Sequence, residues 1–388
     1  MKVDTLLVHA GRDPERFEGL VNAPVTRAST ILHADMAAFN AAASNKHGVP
    51  YYGRYGTSIS KLLAAACAEL DGGAGGVLFP SGLAAIAGTL AALLKPGGHL
   101  LMVDSVYAPV RDLCEKVLAP LGIVTTFYPP DAGAGIAAHL RPETQAVYCE
   151  APGSHTFEMQ DVPAIGQVAA ARGIPVVVDN TWATPYYFKP LAHGADIAIQ
   201  AATKYLVGHS DAMLGVATCT EAWLPVLQRS TALQGNSVSA DDCFLALRGI
   251  RTLSVRLAQH YRSGLEMARW LAARPEVLSV LHPALESHPG HAIWKRDFTG
   301  ASGLFSIVLK PVPQKAVDAL LDTVKLFGTR FSWGGFESLI IPFDCDPYRT
   351  ATRWSPGGPT LRLHIGLENV DDLKADLDRG FAALKAAA

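Results

Sequence analysis

Residues 196–211 read DIAIQAATKYLVGHSD and combine a strand-like apolar run with a lysine. The stretch opens on the apolar run Ile197–Ile199, which is typical of a strand buried in a sheet. Lys204 follows that run and precedes the aromatic Tyr205. A single lysine is most often a solvated surface group, but this position favours desolvation and therefore a lowered pKa. Such a lysine can form a Schiff base with a carbonyl compound.

Apolar runs of strand length alternate with helical patterns on both sides of this stretch, from Lys61 to about Ala217. The predicted strands are Val77–Phe79, Leu100–Val103, Ile123–Phe127, Ala146–Cys149, Val176–Val178 and Ile197–Ile199. Nearly continuous hydrophobicity favours strands that are buried on both faces of a parallel sheet. The pattern therefore predicts an α/β domain.

The remaining chain predicts an arm and a second, smaller unit. Residues 1–55 are rich in turn formers, with helical spacing from Ala34 to Ala43. Helical periodicity from about Glu221 to Leu271 predicts a connecting helix. Beyond it the pattern is α+β, with strands at Val277–Leu281, Leu304–Leu309 and Leu361–Ile365 and helices at Gln314–Leu321 and Val370–Leu384. We predict an N-terminal arm over 1–55, an α/β cofactor domain over 56–245, and a connecting helix with a C-terminal α+β domain over 246–388.

Composition narrows the class of partner. The chain has 388 residues, 49% of them apolar, and a formal net charge of -2. Such a balance offers no basic excess for nucleic acid or a membrane surface, so a small neutral or zwitterionic partner is expected. Six scattered cysteines predict free thiols in a reducing compartment. No apolar run approaches 18 residues and no leader pattern opens the chain, which predicts a cytoplasmic protein.

Two further segments carry chemistry at strand ends. Ser81, Gly82 and Leu83 follow an apolar run and open a helical pattern. A glycine at a helix N-terminus lets a phosphate approach free backbone N–H groups, although an ordinary β–α turn has the same pattern. Asp179 ends the run Val176–Val178, where ligands of open α/β sheets bind. Its carboxylate could keep a pyridine nitrogen protonated, or it could cap the next helix.

The Thr-Lys-Tyr and Gly-His-Ser-Asp elements of residues 196–211 resemble the lysine signature of the Cys/Met-metabolism family of pyridoxal phosphate (PLP) enzymes. The resemblance extends from Thr5 and His9–Gly11 to Arg362–Glu368. It implies a fold-type I, aminotransferase-like fold of the α/β class, with a large mixed-sheet cofactor domain and a smaller α+β C-terminal domain. It also implies PLP as the cofactor, held as a Schiff base on Lys204, with Asp179 on the pyridine nitrogen.

The same resemblance implies roles for further residues and an assembly. The cofactor phosphate would be bound by Gly82, Leu83 and Thr203, and by Tyr52 and Arg54 reaching from a neighbouring subunit. A catalytic dimer within a homotetramer follows from that arrangement. Tyr107 would stack on the pyridine ring and take part in catalysis, and Arg362 would bind the substrate α-carboxylate with its planar fork. Without the resemblance, a core tyrosine and a surface ion pair would be the favoured interpretations.

Local features resemble the bacterial cystathionine β-lyase branch of the family. They are the pair Ser332 and Trp333, Ala108–Pro109 after Tyr107, and Trp294–Gly300. The resemblance implies that Ser332 and Trp333 bind the substrate. They imply a carbon–sulfur lyase that acts on a small sulfur amino acid and cleaves L-cystathionine to homocysteine, pyruvate and ammonia. Three alternatives stay open: a β-lyase for other cysteine S-conjugates, a γ-elimination or γ-replacement enzyme, and a PLP-binding regulator.

Two departures from the family pattern and one histidine cluster complete the sequence predictions. Ala201 stands where many members have serine, and Ala232 stands where a tyrosine near the distal end of the substrate is expected. His282, His288 and His291 have no carboxylate or cysteine at ligand spacing, so we predict loop histidines and no metal site.

Overall fold

The computed structural model describes residues 1–388 and contains two separate β-sheets. The strands of the larger sheet are β1 Gly75–Phe79, β2 His99–Val103, β3 Val124–Tyr128, β4 Thr144–Glu150, β5 Val176–Asp179, β6 Ile197–Gln200 and β7 Gly215–Cys219. Their spatial order is β1-β7-β6-β5-β4-β2-β3. The smaller sheet has β8 Val277–Leu281, β9 Leu304–Leu309, β10 Leu339–Phe343 and β11 Thr360–His364.

The larger sheet is mixed because of a single strand. β2, β3, β4, β5 and β6 pair in parallel, whereas β7 runs antiparallel to both of its neighbours, β6 and β1. The six predicted strands are confirmed. β7, with the sequence GVATC, was not predicted because glycine and threonine interrupt its apolar pattern, and the sequence of a strand does not fix the direction in which it pairs. The prediction of a mixed-sheet α/β fold is confirmed.

Thirteen α-helices accompany the sheets. They are α1 Val3–His9, α2 Met36–Ser44, α3 Ser58–Asp71, α4 Gly82–Leu93, α5 Ala108–Leu113, α6 Val162–Ala170, α7 Thr184–Tyr187, α8 Leu224–Leu233, α9 Ala240–Arg251, α10 Leu253–Ala272, α11 His291–Asp297, α12 Gln314–Thr323 and α13 Val370–Ala387. None of them combines the length and the apolarity that a membrane crossing requires.

The helical stretch predicted over 221–271 is divided into α8, α9 and α10. Ser239 ends the gap after α8, since its hydroxyl accepts hydrogen bonds from the first N–H groups of α9. Thr252 is the single non-helical residue that separates α9 from α10. α10 then connects two hydrophobic cores, because Leu253 and Leu257 pack in the core of the larger sheet and Leu271 packs in that of the smaller one.

The smaller sheet is antiparallel throughout, in the order β10-β11-β9-β8. β10 was not predicted because Pro342 interrupts its apolar run. Proline lacks a backbone N–H and is therefore tolerated on an edge strand, and β10 lies at the edge of this sheet. α12 and α13 cover the sheet with buried apolar residues. The predicted strands and helices of this region are confirmed.

Candidate active site

Lys204 lies in the turn that follows β6, close to a loop from the smaller sheet. Its Nζ donates a hydrogen bond to Ser332 Oγ over 2.5 Å and stands 5.4 Å from the centre of the Trp333 ring. Burial lowers the pKa of Lys204 to about 8, and the nearby Arg362 acts in the same direction. A substantial fraction of this amine is therefore neutral near pH 7 to 8, as a nucleophile or a base must be.

Asp179 lies at the carboxyl end of β5, beside the strand that leads to Lys204. Its Oδ1 accepts hydrogen bonds from the N–H and the hydroxyl of Thr181, at 2.9 and 2.5 Å. Thr181 Oγ1 also accepts from the N–H of Ala201 over 2.9 Å, so it ties the end of β5 to the end of β6. Burial raises the pKa of Asp179, against the effect of these hydrogen bonds and of Lys204. Sequence reasoning missed Thr181, although a threonine two residues after an aspartate is a common turn signal.

The N-terminus of α4 forms an anion-binding cradle at the same end of the sheet. Ser81 caps the helix by accepting a hydrogen bond from Ala84 N over 3.1 Å, which leaves the N–H groups of Gly82 and Leu83 without a helical partner. A side chain at Gly82 would place its Cβ 2.5 Å from Ala201 Cβ. Glycine is therefore required where the chain passes Ala201, and the two free N–H groups suit a phosphate.

Thr203 completes the surroundings of this cradle but its hydroxyl is already engaged. Thr203 Oγ1 accepts from Leu214 N at 2.9 Å and lies 3.2 Å from Leu214 O. The hydroxyl thus ties the Lys204 turn to the chain entering β7.

Tyr107 opens α5 beside the ends of β4 and β5, with 44% of its surface exposed. Its backbone N–H donates to Glu150 Oε2 over 2.8 Å. Glu150 is paired directly with Asp179 across β4 and β5. Burial, and then the charge of Asp179, raise the pKa of Glu150 well above the ordinary glutamate range. Sequence reasoning missed Glu150, because only the strand register places it beside Asp179.

Arg362 projects from β11 toward the loop of residues 332–335, which carries Ser332 and Trp333. Its Nη2 donates to Ser332 O over 2.9 Å. Burial lowers the pKa of Arg362 to about 10, which still leaves it charged at neutral pH. The structure thus brings together Lys204, Ser332, Trp333 and Arg362 around one opening.

The chain does not bring Tyr52 and Arg54 to this opening. Arg54 Nη1 donates to the carbonyl of Ala232. Tyr52 and Arg54 both line a separate cavity of about 1030 Å³ between the N-terminal segment and α8. None of Lys204, Asp179 and Gly82 lines that cavity.

The prediction of three loop histidines is correct for His282 and His288 but wrong for His291, which begins α11. His282 and His288 are buried, and burial lowers the pKa of His282 to about 3. His291 Nδ1 lies 3.0 Å from Pro283 O. The described chain contains no group of three or more histidine, cysteine, aspartate or glutamate side chains arranged to hold a metal ion.

Comparison with known proteins identifies relatives over the whole chain. The profile of the Cys/Met metabolism PLP-dependent enzymes matches residues 4–382. A protein of Escherichia coli named cystathionine beta-lyase MetC is 47% identical over 392 residues, covering 99% of each chain. A putative cystathionine beta-lyase of Rhizobium johnstonii is 46% identical, over 99% of this chain and 97% of the relative. The crystal structure of metB from Corynebacterium glutamicum superposes with a TM-score of 0.89 at 28% identity, covering 99% of this chain and 98% of that one.

Proposed function

Because the chain belongs to the family of Cys/Met metabolism PLP-dependent enzymes, we infer that it is a PLP-dependent carbon–sulfur lyase that cleaves L-cystathionine. The products are homocysteine, pyruvate and ammonia. The predictions of the family, of the cofactor and of lyase activity are confirmed by the family match and by relatives of 46% and 47% identity that carry the lyase name. The observation that carries this function is the placement of Lys204, neutral in part, between Ser332 and Trp333.

The residues present fit PLP. We propose that the cradle of Gly82 and Leu83, into which no side chain could fit at Gly82, receives the phosphate. Asp179 would hold the pyridine nitrogen, and Lys204 would carry the cofactor. The chemistry that PLP supplies when bound is the withdrawal of electrons from the substrate α-carbon.

The chain's own groups would then move the protons. Lys204, whose pKa lies near 8, would remove the α-proton as a general base and later return a proton to the departing sulfur. Arg362 would bind the substrate α-carboxylate through N–H groups that it does not donate to Ser332 O. Tyr107, anchored through Glu150, would cover the ring face so that the bond to be broken stays oriented.

Ala232 favours one second candidate. This residue replaces a tyrosine that the family resemblance puts near the distal end of the substrate, and it lines the cavity beside α8 together with Tyr52 and Arg54, the residues proposed to serve a neighbouring subunit's site. A site without that tyrosine has less to bind the distal end of cystathionine. Other cysteine S-conjugates are therefore the alternative substrates, processed by the same β-elimination.

The assembly and compartment are proposals of the same kind. Tyr52 and Arg54 lie away from their own chain's opening, which supports a role in a neighbouring subunit of a homotetramer. The N-terminal segment also exposes apolar side chains, with Leu32 at 90% and Met36 at 67% exposure, as a segment that packs against another subunit would. All six cysteines are free and buried, which suits a reducing cytoplasm.

The test is product analysis on the purified, PLP-loaded protein given L-cystathionine. We expect pyruvate and homocysteine in equal amounts. S-alkyl-cysteines and O-succinyl-homoserine are assayed in parallel. Activity restricted to S-alkyl-cysteines would support the second candidate, whereas 2-oxobutyrate would show γ-elimination and contradict both.

A further inference from the structure

Two side chains of β11 hold the 332–335 loop. Arg362 and His364 are two residues apart, so they project from the same face of the strand. Arg362 Nη2 donates to Ser332 O over 2.9 Å. At the other end of the loop, His364 Nε2 lies 3.2 Å from Gly334 N and 3.1 Å from Gly335 O.

The loop itself has an unfavourable conformation. Ser332 has a φ of +83° and Gly334 a φ of +87°, and a positive φ is costly for serine. A side chain at Gly334 would place its Cβ 2.9 Å from Lys204 Cβ, so the loop lies directly against the lysine. A strained loop in that place persists only when surrounding contacts hold it, and those contacts also fix where Ser332 Oγ meets Lys204 Nζ.

The imidazole of His364 is suited to this task in its neutral form. It is 1% exposed and lies beside Tyr205 and His260, and Tyr205 in turn contacts Trp333. Tyr205 Oη is 3.5 Å from its Nδ1, and His260 is directed elsewhere, with Nδ1 2.8 Å from Ile365 O. A neutral Nε2 accepts from Gly334 N–H when bare and donates to Gly335 O when protonated. Either tautomer therefore makes one hydrogen bond to the loop.

We propose that His364 is a positioning residue of the lyase reaction. Through Gly334 and Gly335 it holds the 332–335 loop on Lys204, and so keeps Ser332 Oγ and the Trp333 ring at the amine. It touches no reacting atom itself. The expected effect on kcat rests on the proposed function. The role of His364 in holding the loop does not depend on it.

The experiment compares four variants of the PLP-loaded protein with the native one. His364→Leu keeps the burial and removes the hydrogen bond, His364→Gln retains a group that reaches as far as Nε2, and His364→Asn reaches only as far as Nδ1. His260→Leu is the matched control, since it removes a neighbouring buried imidazole that bonds Ile365 O and not the loop. Hydrogen exchange of peptides over residues 331–339 and steady-state kinetics are measured on each.

We expect exchange of the 331–339 peptides to accelerate about tenfold in His364→Leu, which corresponds to about 1.4 kcal/mol, the size of one hydrogen bond. The kcat should fall by about the same factor with KM changed less than about threefold, since the loop acts on the lysine in the chemical step. His364→Gln should restore both values, and His260→Leu should leave this exchange at the native rate.

Three results would overturn the proposal: native exchange in His364→Leu, equal acceleration in His260→Leu, or no recovery in His364→Gln. If His364→Leu does not fold, the pair His364→Gln and His364→Asn decides, because equal exchange in these two would also overturn it. A native protein that fails to cleave cystathionine contradicts the proposed function alone, since the exchange comparison is made without substrate.

Discussion

At the scale of single residues, a lowered lysine pKa does not by itself identify a reactive amine. Burial lowers the pKa of both Lys204 and Lys61 to about 8. The Nζ of Lys61, however, donates to backbone carbonyls, those of Val49 at 2.6 Å and His47 at 2.9 Å, and so fastens the N-terminal segment. Lys204 instead meets one hydroxyl and the face of Trp333 at an open site. The neighbours, and not the pKa, distinguish a candidate catalytic lysine from a structural one.

We predict that Lys204→Ala abolishes turnover and the absorbance of the Schiff base between the lysine and PLP, because Lys204 supplies the amine that forms it. The control is Lys374→Ala, which removes a lysine of α13 that pairs with Glu266, away from every residue proposed to bind the cofactor. It should keep the absorbance. Visible spectra of the two purified variants, with pyruvate release as the second measurement, decide the point. Retained absorbance and turnover in Lys204→Ala would contradict the assignment.

At the scale of elements, a strap of residues 345–354 crosses from the smaller sheet to the turn between β2 and α5. The buried Asp104 holds it, since Oδ2 accepts from the N–H and the hydroxyl of Thr352 at 2.8 and 2.7 Å, and Oδ1 accepts from Thr350 N at 3.1 Å. Arg111, on α5, forms an ion pair with the same carboxylate. The strap is thereby held three residues before Tyr107 in the chain, so one carboxylate couples the smaller sheet to the tyrosine that we propose covers the cofactor ring.

We predict that Asp104→Asn lowers the free energy of unfolding by about 2 to 3 kcal/mol. The amide NH₂ of the new side chain would face the N–H and hydroxyl donors of Thr352, and the buried Arg111 would lose its counter-charge. Burial raises the pKa of Asp104, but the hydrogen bonds from Thr350 and Thr352 outweigh it and the net pKa is lowered. A carboxylate with a lowered pKa stabilises the fold above its unfolded pKa and loses that effect as pH falls through the folded value.

Urea unfolding at several pH values measures this effect. The gap between native protein and Asp104→Asn should be full at neutral pH and should shrink below the ordinary aspartate pKa. Asp112→Asn, which removes an exposed carboxylate paired with Lys116, is the control and should unfold like the native protein. A pH-independent gap would show that the charge of Asp104 is not what holds the strap.

At the scale of the whole molecule, one chain does not assemble every residue that the family pattern assigns to the cofactor. Tyr52 and Arg54 line the cavity beside α8, apart from Lys204, Asp179 and Gly82. The two hydrophobic cores are joined by α10, and Trp333, beside Lys204, packs against the core of the larger sheet. The division at 1–55, 56–245 and 246–388 stays a prediction, as does the tetramer.

We predict that co-expressed Arg54→Ala and Lys204→Ala chains recover activity that neither has alone. If Arg54 serves the partner's site, a mixed dimer has one site with both changes and one intact site, so about a quarter of all sites are native in a random mixture. Pyruvate release from the purified mixture measures the recovery. Co-expressed Lys204→Ala and Asp179→Ala chains are the control. They should stay inactive, because each substitution disables the site on its own chain and no intact site can form. Absence of recovery in the first mixture would place Arg54 in its own chain's site.

Residue patterns along the chain were sufficient to predict those features that depend on neighbours in sequence. Continuous apolar runs predicted β1 to β6, and the contiguous motif around Lys204 predicted the family, the cofactor and the fold. Tertiary structure alone decided the direction of β7, the edge position of β10, and the contacts of Glu150 with Asp179 and of His364 with the 332–335 loop. The physical reason is that periodicity and motifs report local burial, whereas register and loop contacts depend on residues that are far apart in sequence and meet only after the sheets have packed.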